Sequence, residues 1–102
     1  MIPDLARHLA ELVEVCQRFG VTRLDVFGSA VSGGFDSARS DVDFLVEFEP
    51  PAGMSRFDAY FGLKEAFEAI LGRPVDLVVP SALANPYVAD AVERTREPLY
   101  AA

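Results

Sequence analysis

A strand-like run, Arg23-Leu24-Asp25-Val26-Phe27, leads straight into Gly28-Ser29, and a second, Asp41-Val42-Asp43-Phe44-Leu45-Val46, follows the intervening segment 30–40. This pairing constrains the chain more than any other feature. A glycine at the end of a strand lets the backbone bend tightly and lie against a ligand where a Cβ would collide. Ser29 adds a hydroxyl and an N–H that a phosphate oxygen can accept from. Side chains two apart on a strand share a face, so Asp41 and Asp43 are expected to point the same way. Two adjacent carboxylates repel unless a cation lies between them, and hard oxygen ligands suit Mg²⁺ or Mn²⁺. A third carboxylate, Asp76, sits in the buried-looking run Pro74-Val75-Asp76-Leu77-Val78-Val79, where an unpaired charge is costly and a shared metal would be a partner. The motifs together imply metal-dependent phosphate chemistry, with carboxylates bridging two ions in phosphoryl or nucleotidyl transfer.

Each motif also has a plain structural reading. Gly-Ser after a strand is a common turn, Ser40-Asp41 could satisfy backbone N–H groups at a loop end, and Asp76 could stand half-exposed at a strand edge. It is their order and strand context that carry the chemistry.

The rest of the chain frames these strands. Leu5, Leu9, Leu12, Val13, Cys16 and Phe19 recur at helical spacing from Asp4 to Phe19, and Gly20 provides the stop. His8 and Cys16 fall on this helix as boundary and core residues. Ser55 caps a second helix running to about Leu71, with Asp58 as the acidic member of a capping box and Gly72 and Pro74 ending it. Phe57, Tyr60, Phe61, Leu63, Phe67 and Ile70 read as core, although so many large residues cover more than one face and leave some for an interface or base pocket. Asn85-Pro86 opens a last helix to about Arg96, with Pro98 as terminator and Glu93, Arg94, Arg96 and Glu97 on a solvated face. The expected order is helix, strand, loop, strand, helix, strand, helix, as one domain over residues 1–102.

Composition limits the functions open to such a chain. At 102 residues it has no room for a separate substrate domain, so a large acceptor must dock from outside. A net charge of −7 disfavours gripping a nucleic-acid backbone unaided, so no direct nucleic-acid partner is expected. The hydrophobic fraction of 51% points to apolar surface covered by a partner or a second copy, as a hetero-oligomer or homo-oligomer. Cys16 is the single cysteine, which fits a reducing cytoplasm, and no stretch has membrane-spanning length or the pattern of a secretory leader.

Phe27-Gly28-Ser29, Ser40-Asp41-Val42-Asp43-Phe44-Leu45-Val46 and Val75-Asp76-Leu77-Val78 together make the chain resemble the minimal nucleotidyltransferase family of the DNA polymerase β-like superfamily. The resemblance implies an α/β (α+β) fold, a small mixed sheet with helices packed mainly on one face, that binds ATP with Mg²⁺ and transfers AMP to an acceptor hydroxyl. It implies that Gly28 and Ser29 contact the triphosphate, that Asp41 and Asp43 ligate metal, and that Asp76 binds the catalytic metal and helps deprotonate the nucleophile. Many members of the family are antitoxins encoded beside HEPN-domain ribonuclease toxins, and some adenylylate a tyrosine of the toxin.

One stretch departs from the family pattern. Arg-Ala-Arg-Gly commonly follows Gly-Ser, whereas this chain has Ala30-Val31-Ser32-Gly33-Gly34, leaving Arg39 as the nearest cation for the triphosphate. Three functions therefore stand side by side: an Mg²⁺-dependent transferase acting on a HEPN-type partner, a binding module that neutralises a partner by contact, and a small-molecule nucleotidyltransferase.

Overall fold

A computed structural model describes residues 3–32 and 41–102, with the side chains of Ser29 and Ser32 excepted. The amino-terminal helical pattern forms two helices, α1 (Pro3–Arg7) and α2 (Leu9–Arg18), rather than one. The helical bonding continues through the break, with the His8 N–H donating to the Asp4 carbonyl and the Leu12 N–H to that of His8. The His8 ring pairs with Glu11 through Nδ1 at 2.9 Å. Strand β1 spans Val21–Phe27 and is followed at once by a single helical turn, α3 (Ser29–Ser32), where a loop was expected. Strand β2 (Val42–Phe48), helix α4 (Arg56–Leu71) and strand β3 (Val75–Val78) come next. A 3₁₀ turn over Pro80–Ala84 leads to α5 (Pro86–Thr95) and a last strand, β4 (Glu97–Ala101).

The helix ends obey the expected chemistry. The Ser55 hydroxyl accepts the Asp58 N–H at 3.0 Å, the Asn85 side chain accepts the Tyr87 N–H at 2.9 Å, and Gly72 closes α4 in the left-handed conformation. Strand β4 is the strand the sequence pattern did not reveal. Its Pro98 reads as a helix terminator, yet a proline lacking its N–H is tolerated at a sheet edge, and there Pro98 lies opposite Asp25.

The four described strands form one sheet in the order β3-β2-β1-β4. β1 runs antiparallel to both β2 and β4, while β2 and β3 are parallel and joined by α4, as parallel neighbours require. Alternation then sorts the side chains. Leu24 and Val26 of β1, Val42, Phe44 and Val46 of β2, and Val75 and Leu77 of β3 join Leu5, Leu12, Cys16, Leu63 and Phe67 in the main core, with Phe44 and Phe67 in contact at 5.1 Å between ring centres. Phe27, Leu45 and Val78 point to the opposite face, where Val92, Val88 and Ala91 of α5 cover them. Helices thus pack mainly on one face, and α5 screens part of the other.

Two side chains of α4 also secure the edge strand β3. The Glu68 carboxylate accepts the Val75 N–H at 3.0 Å, and the Tyr60 hydroxyl donates to the Leu77 carbonyl at 2.9 Å. Not all the aromatics of α4 are core: Leu63 and Phe67 are fully buried, whereas Phe57 is 70% exposed and Phe61 45%. Cys16 is buried, and its burial pushes the thiol up to about 12, as befits a packing residue.

Candidate functional site

The sheet register gathers the sequence motifs at one end of the face that α5 only partly covers. Phe27 lies opposite Asp43 across β1 and β2, and Asp43 lies beside Asp76 across β2 and β3. Gly28 therefore stands next to Asp43. Its φ of +77° is a backbone conformation that side chains resist, and a Cβ added there would come within 2.8 Å of an Asp43 carboxylate oxygen. The glycine is required twice, by the bend and by the carboxylate resting against it. Its N–H does not face open solvent but donates to the Thr95 hydroxyl at the end of α5, at 2.7 Å. Gly28 thus contributes shape to the site, with its own amide already engaged.

Asp41 precedes the first residue of β2 and is exposed. Asp76 is exposed as well, because β3 is an edge strand; the sequence expectation of a buried charge in need of a partner does not hold there. Asp43 is the half-buried member. Burial first, then the charges of Asp76 and Asp41, push its carboxyl up to about 6. Repulsion of this kind is what a divalent cation relieves, and an all-oxygen donor set fits Mg²⁺ or Mn²⁺. Among the described residues no three acidic, histidine or cysteine side chains are gathered into a ready-made cage. Mg²⁺ is ordinarily held by one or two carboxylates together with substrate phosphates and water, so an open pair beside a glycine turn suits it.

Arg39 lies outside the described residues, as does the side chain of Ser29. Where the family pattern has its first arginine, Ala30 is buried, and Val31 beside it packs against the core; the Ser32 side chain, at the second, lies outside the described residues. The start of that segment serves packing here.

Two connections escaped the sequence. Asp25 is fully buried, with one oxygen held by Arg96 Nε at 2.5 Å and by Arg23 Nε at 3.3 Å, while its other oxygen has no hydrogen-bond partner among the described residues. Arg96 is exposed as expected, but its partner is the buried Asp25 of β1, whereas Arg94 pairs locally with Asp90 on the exposed side of α5. Thr95 is the second, bonded to Gly28 across 67 positions of sequence. The only signal for either was a carboxylate on the interior of β1, since nothing in the local pattern of α5 distinguishes a hydroxyl or a guanidinium that reaches back to the sheet.

A four-stranded mixed sheet carrying carboxylates at one end of its inner strand and adjacent edge strand, beside a glycine turn, is the frame of a polymerase β-like nucleotidyltransferase. The comparisons agree. Residues 10–98 match the nucleotidyltransferase domain family. The chain is 46% identical over 79 residues to the protein adenylyltransferase MntA of Thermococcus cleftensis, covering 78% of this chain and 73% of that protein. It superimposes on the solved structure of a candidate minimal nucleotidyltransferase with a TM-score of 0.71 and 36% identity, covering 93% and 92% of the two chains. A structure of a tri-AMPylated HEPN toxin with its MNT antitoxin from Shewanella oneidensis shares the fold, with a TM-score of 0.63 at 16% identity over 95% and 72% of the chains. The chain belongs to the nucleotidyltransferase domain family and is a nucleotidyltransferase of the minimal type.

Proposed function

We propose that this protein transfers AMP from ATP to a hydroxyl of a partner protein, with Mg²⁺ or Mn²⁺, and that it is the antitoxin of a HEPN-type toxin. The observation that carries the reading is Asp43, half-buried beside Gly28 and in register with Asp76, at the open end of a sheet of this family. The relative from Thermococcus cleftensis is named a protein adenylyltransferase, and the Shewanella oneidensis structure holds an AMPylated toxin with its antitoxin, which supports both the group transferred and the kind of acceptor.

In this reading Asp41, Asp43 and Asp76 are the metal ligands. A divalent cation held there would offset triphosphate charge and the charge that develops on the leaving pyrophosphate. Gly28 sets the wall that orients Asp43, and Ser29 and Arg39 meet the phosphates. Exposed Asp76 accepts the proton of the incoming hydroxyl. The hydroxyl oxygen bonds to the α-phosphorus as the bond from that phosphorus to the β-bridging oxygen breaks, and pyrophosphate departs. Residues 1–102 act as one domain, the partner supplies the acceptor from outside, and the pair works in the cytoplasm.

Incubation of the protein encoded by the neighbouring gene with this chain, ATP and Mg²⁺ should raise its intact mass by one or more AMP units. Asp41→Asn/Asp43→Asn protein should leave the mass unchanged. No mass increase in a mixture that forms a stable complex would overturn the transfer reading. A second reading, neutralisation by contact alone, draws on the burial of Ala30 where the family pattern has its first arginine. It requires that the doubly substituted protein still silence its partner.

A further inference from the structure

The hydroxyl of Thr95 forms two hydrogen bonds with different consequences. It donates to the Ala91 carbonyl one turn earlier at 2.6 Å, the ordinary habit of a threonine near a helix end. It also accepts the Gly28 N–H at 2.7 Å. That second bond has nothing to do with holding the helix. Oriented by the first, the oxygen presents a lone pair to the glycine turn from the opposite end of the sequence.

The turn so held is the surface on which Asp43 rests, with so little clearance that a single added carbon would stand 2.8 Å from the carboxylate. A shift of Gly28 by a fraction of an ångström would therefore change where the Asp43 oxygens point. Thr95 itself is kept in place by its neighbour, since Arg96 Nε is bonded to fully buried Asp25 on β1, the strand that ends at Phe27 just before Gly28. Two consecutive residues thus fasten the end of α5 to β1, one at the strand's interior and one at the turn beyond it.

We infer that Thr95 is a positioning residue for nucleotidyl transfer, acting through the Gly28 amide to fix the Asp43 carboxylate. The inference rests on the proposed role of Asp43, and its test separates the two. Thr95→Val keeps the side-chain shape and removes the acceptor, whereas Thr95→Ser keeps the acceptor. In the wild-type protein the Gly28 amide should exchange slowly with solvent. In Thr95→Val its exchange accelerates at least about tenfold and the Asp43 carboxyl carbon resonance moves, and both return towards wild type in Thr95→Ser. AMP transfer follows the same order, with kcat about tenfold lower in Thr95→Val, KM for ATP within about twofold, and rescue by serine.

An unprotected Gly28 amide in the wild-type protein overturns the proposal without any variant. So does an unmoved Asp43 resonance in folded Thr95→Val, or a serine variant as impaired as the valine one. If wild-type protein transfers no AMP to its neighbour, the transfer reading falls, and the amide and carboxyl resonances, read with Mg²⁺ and α,β-methylene-ATP as the probe, still decide the role of Thr95.

Discussion

Gly28→Ala tests the central geometry with one methyl group. At φ +77° an alanine costs roughly 1–2 kcal/mol that glycine does not. The new Cβ would also stand 2.8 Å from an Asp43 oxygen, well inside contact distance, so the carboxylate must rotate away. For a chain of this size 1 kcal/mol corresponds to about 4–8 °C in Tm, so a loss of roughly 8 °C is expected. Displacement of a reacting group by about an ångström can reduce a rate 100-fold, and kcat for AMP transfer should fall by about that factor. Gly72→Ala is the matching control. Its φ is +67° and its Cβ would meet nothing within 4 Å, so it should lose similar stability and keep full activity. Differential scanning calorimetry and the intact-mass assay read the two effects separately. Equal loss of activity in both variants, or full activity in folded Gly28→Ala, would refute the claim that the glycine acts by making room for Asp43.

Asp43→Asn should abolish transfer and, without divalent cation, stabilise the fold above about pH 6. A carboxyl raised from 3.8 to about 6 on folding contributes stability that is present below pH 4 and lost as pH rises through 6, so the advantage of asparagine should appear above pH 6 and vanish near pH 4 in thermal melts. Arg96→Met should lower stability by about 2–4 kcal/mol in urea titration, more than Asp25→Asn does, because among the described residues it leaves the buried carboxylate with Arg23 alone, at 3.3 Å. Ser55→Ala removes the acceptor for the Asp58 N–H at the start of α4 and should cost about 1 kcal/mol in the same titration, with activity unchanged. Phe67→Ala, emptying the fully buried place against Phe44, should cost about 3–5 kcal/mol and is expected to leave little folded protein at 37 °C.

The amino-acid sequence determined the features that rest on local chemistry. Ser55, Gly72 and Asn85 marked helix ends because capping is a matter of neighbouring backbone groups, and the runs ending at Phe27, beginning at Asp41 and centred on Asp76 read as strands from their composition. Gly28 beside two spaced aspartates was legible because a bend and a carboxylate pair need particular residues. Tertiary structure decided what depends on partners distant in sequence. Pro98 became a strand residue because an edge position of the sheet accepts a missing N–H, and Asp76 stood exposed because its strand took that sheet's other edge. Asp25 found Arg96, and Gly28 found Thr95, only because α5 returns across the sheet face and ends beside β1. A hydroxyl or guanidinium in a helix carries no local mark of the group it will meet, since long-range pairing is set by topology and packing and not by the residues on either side.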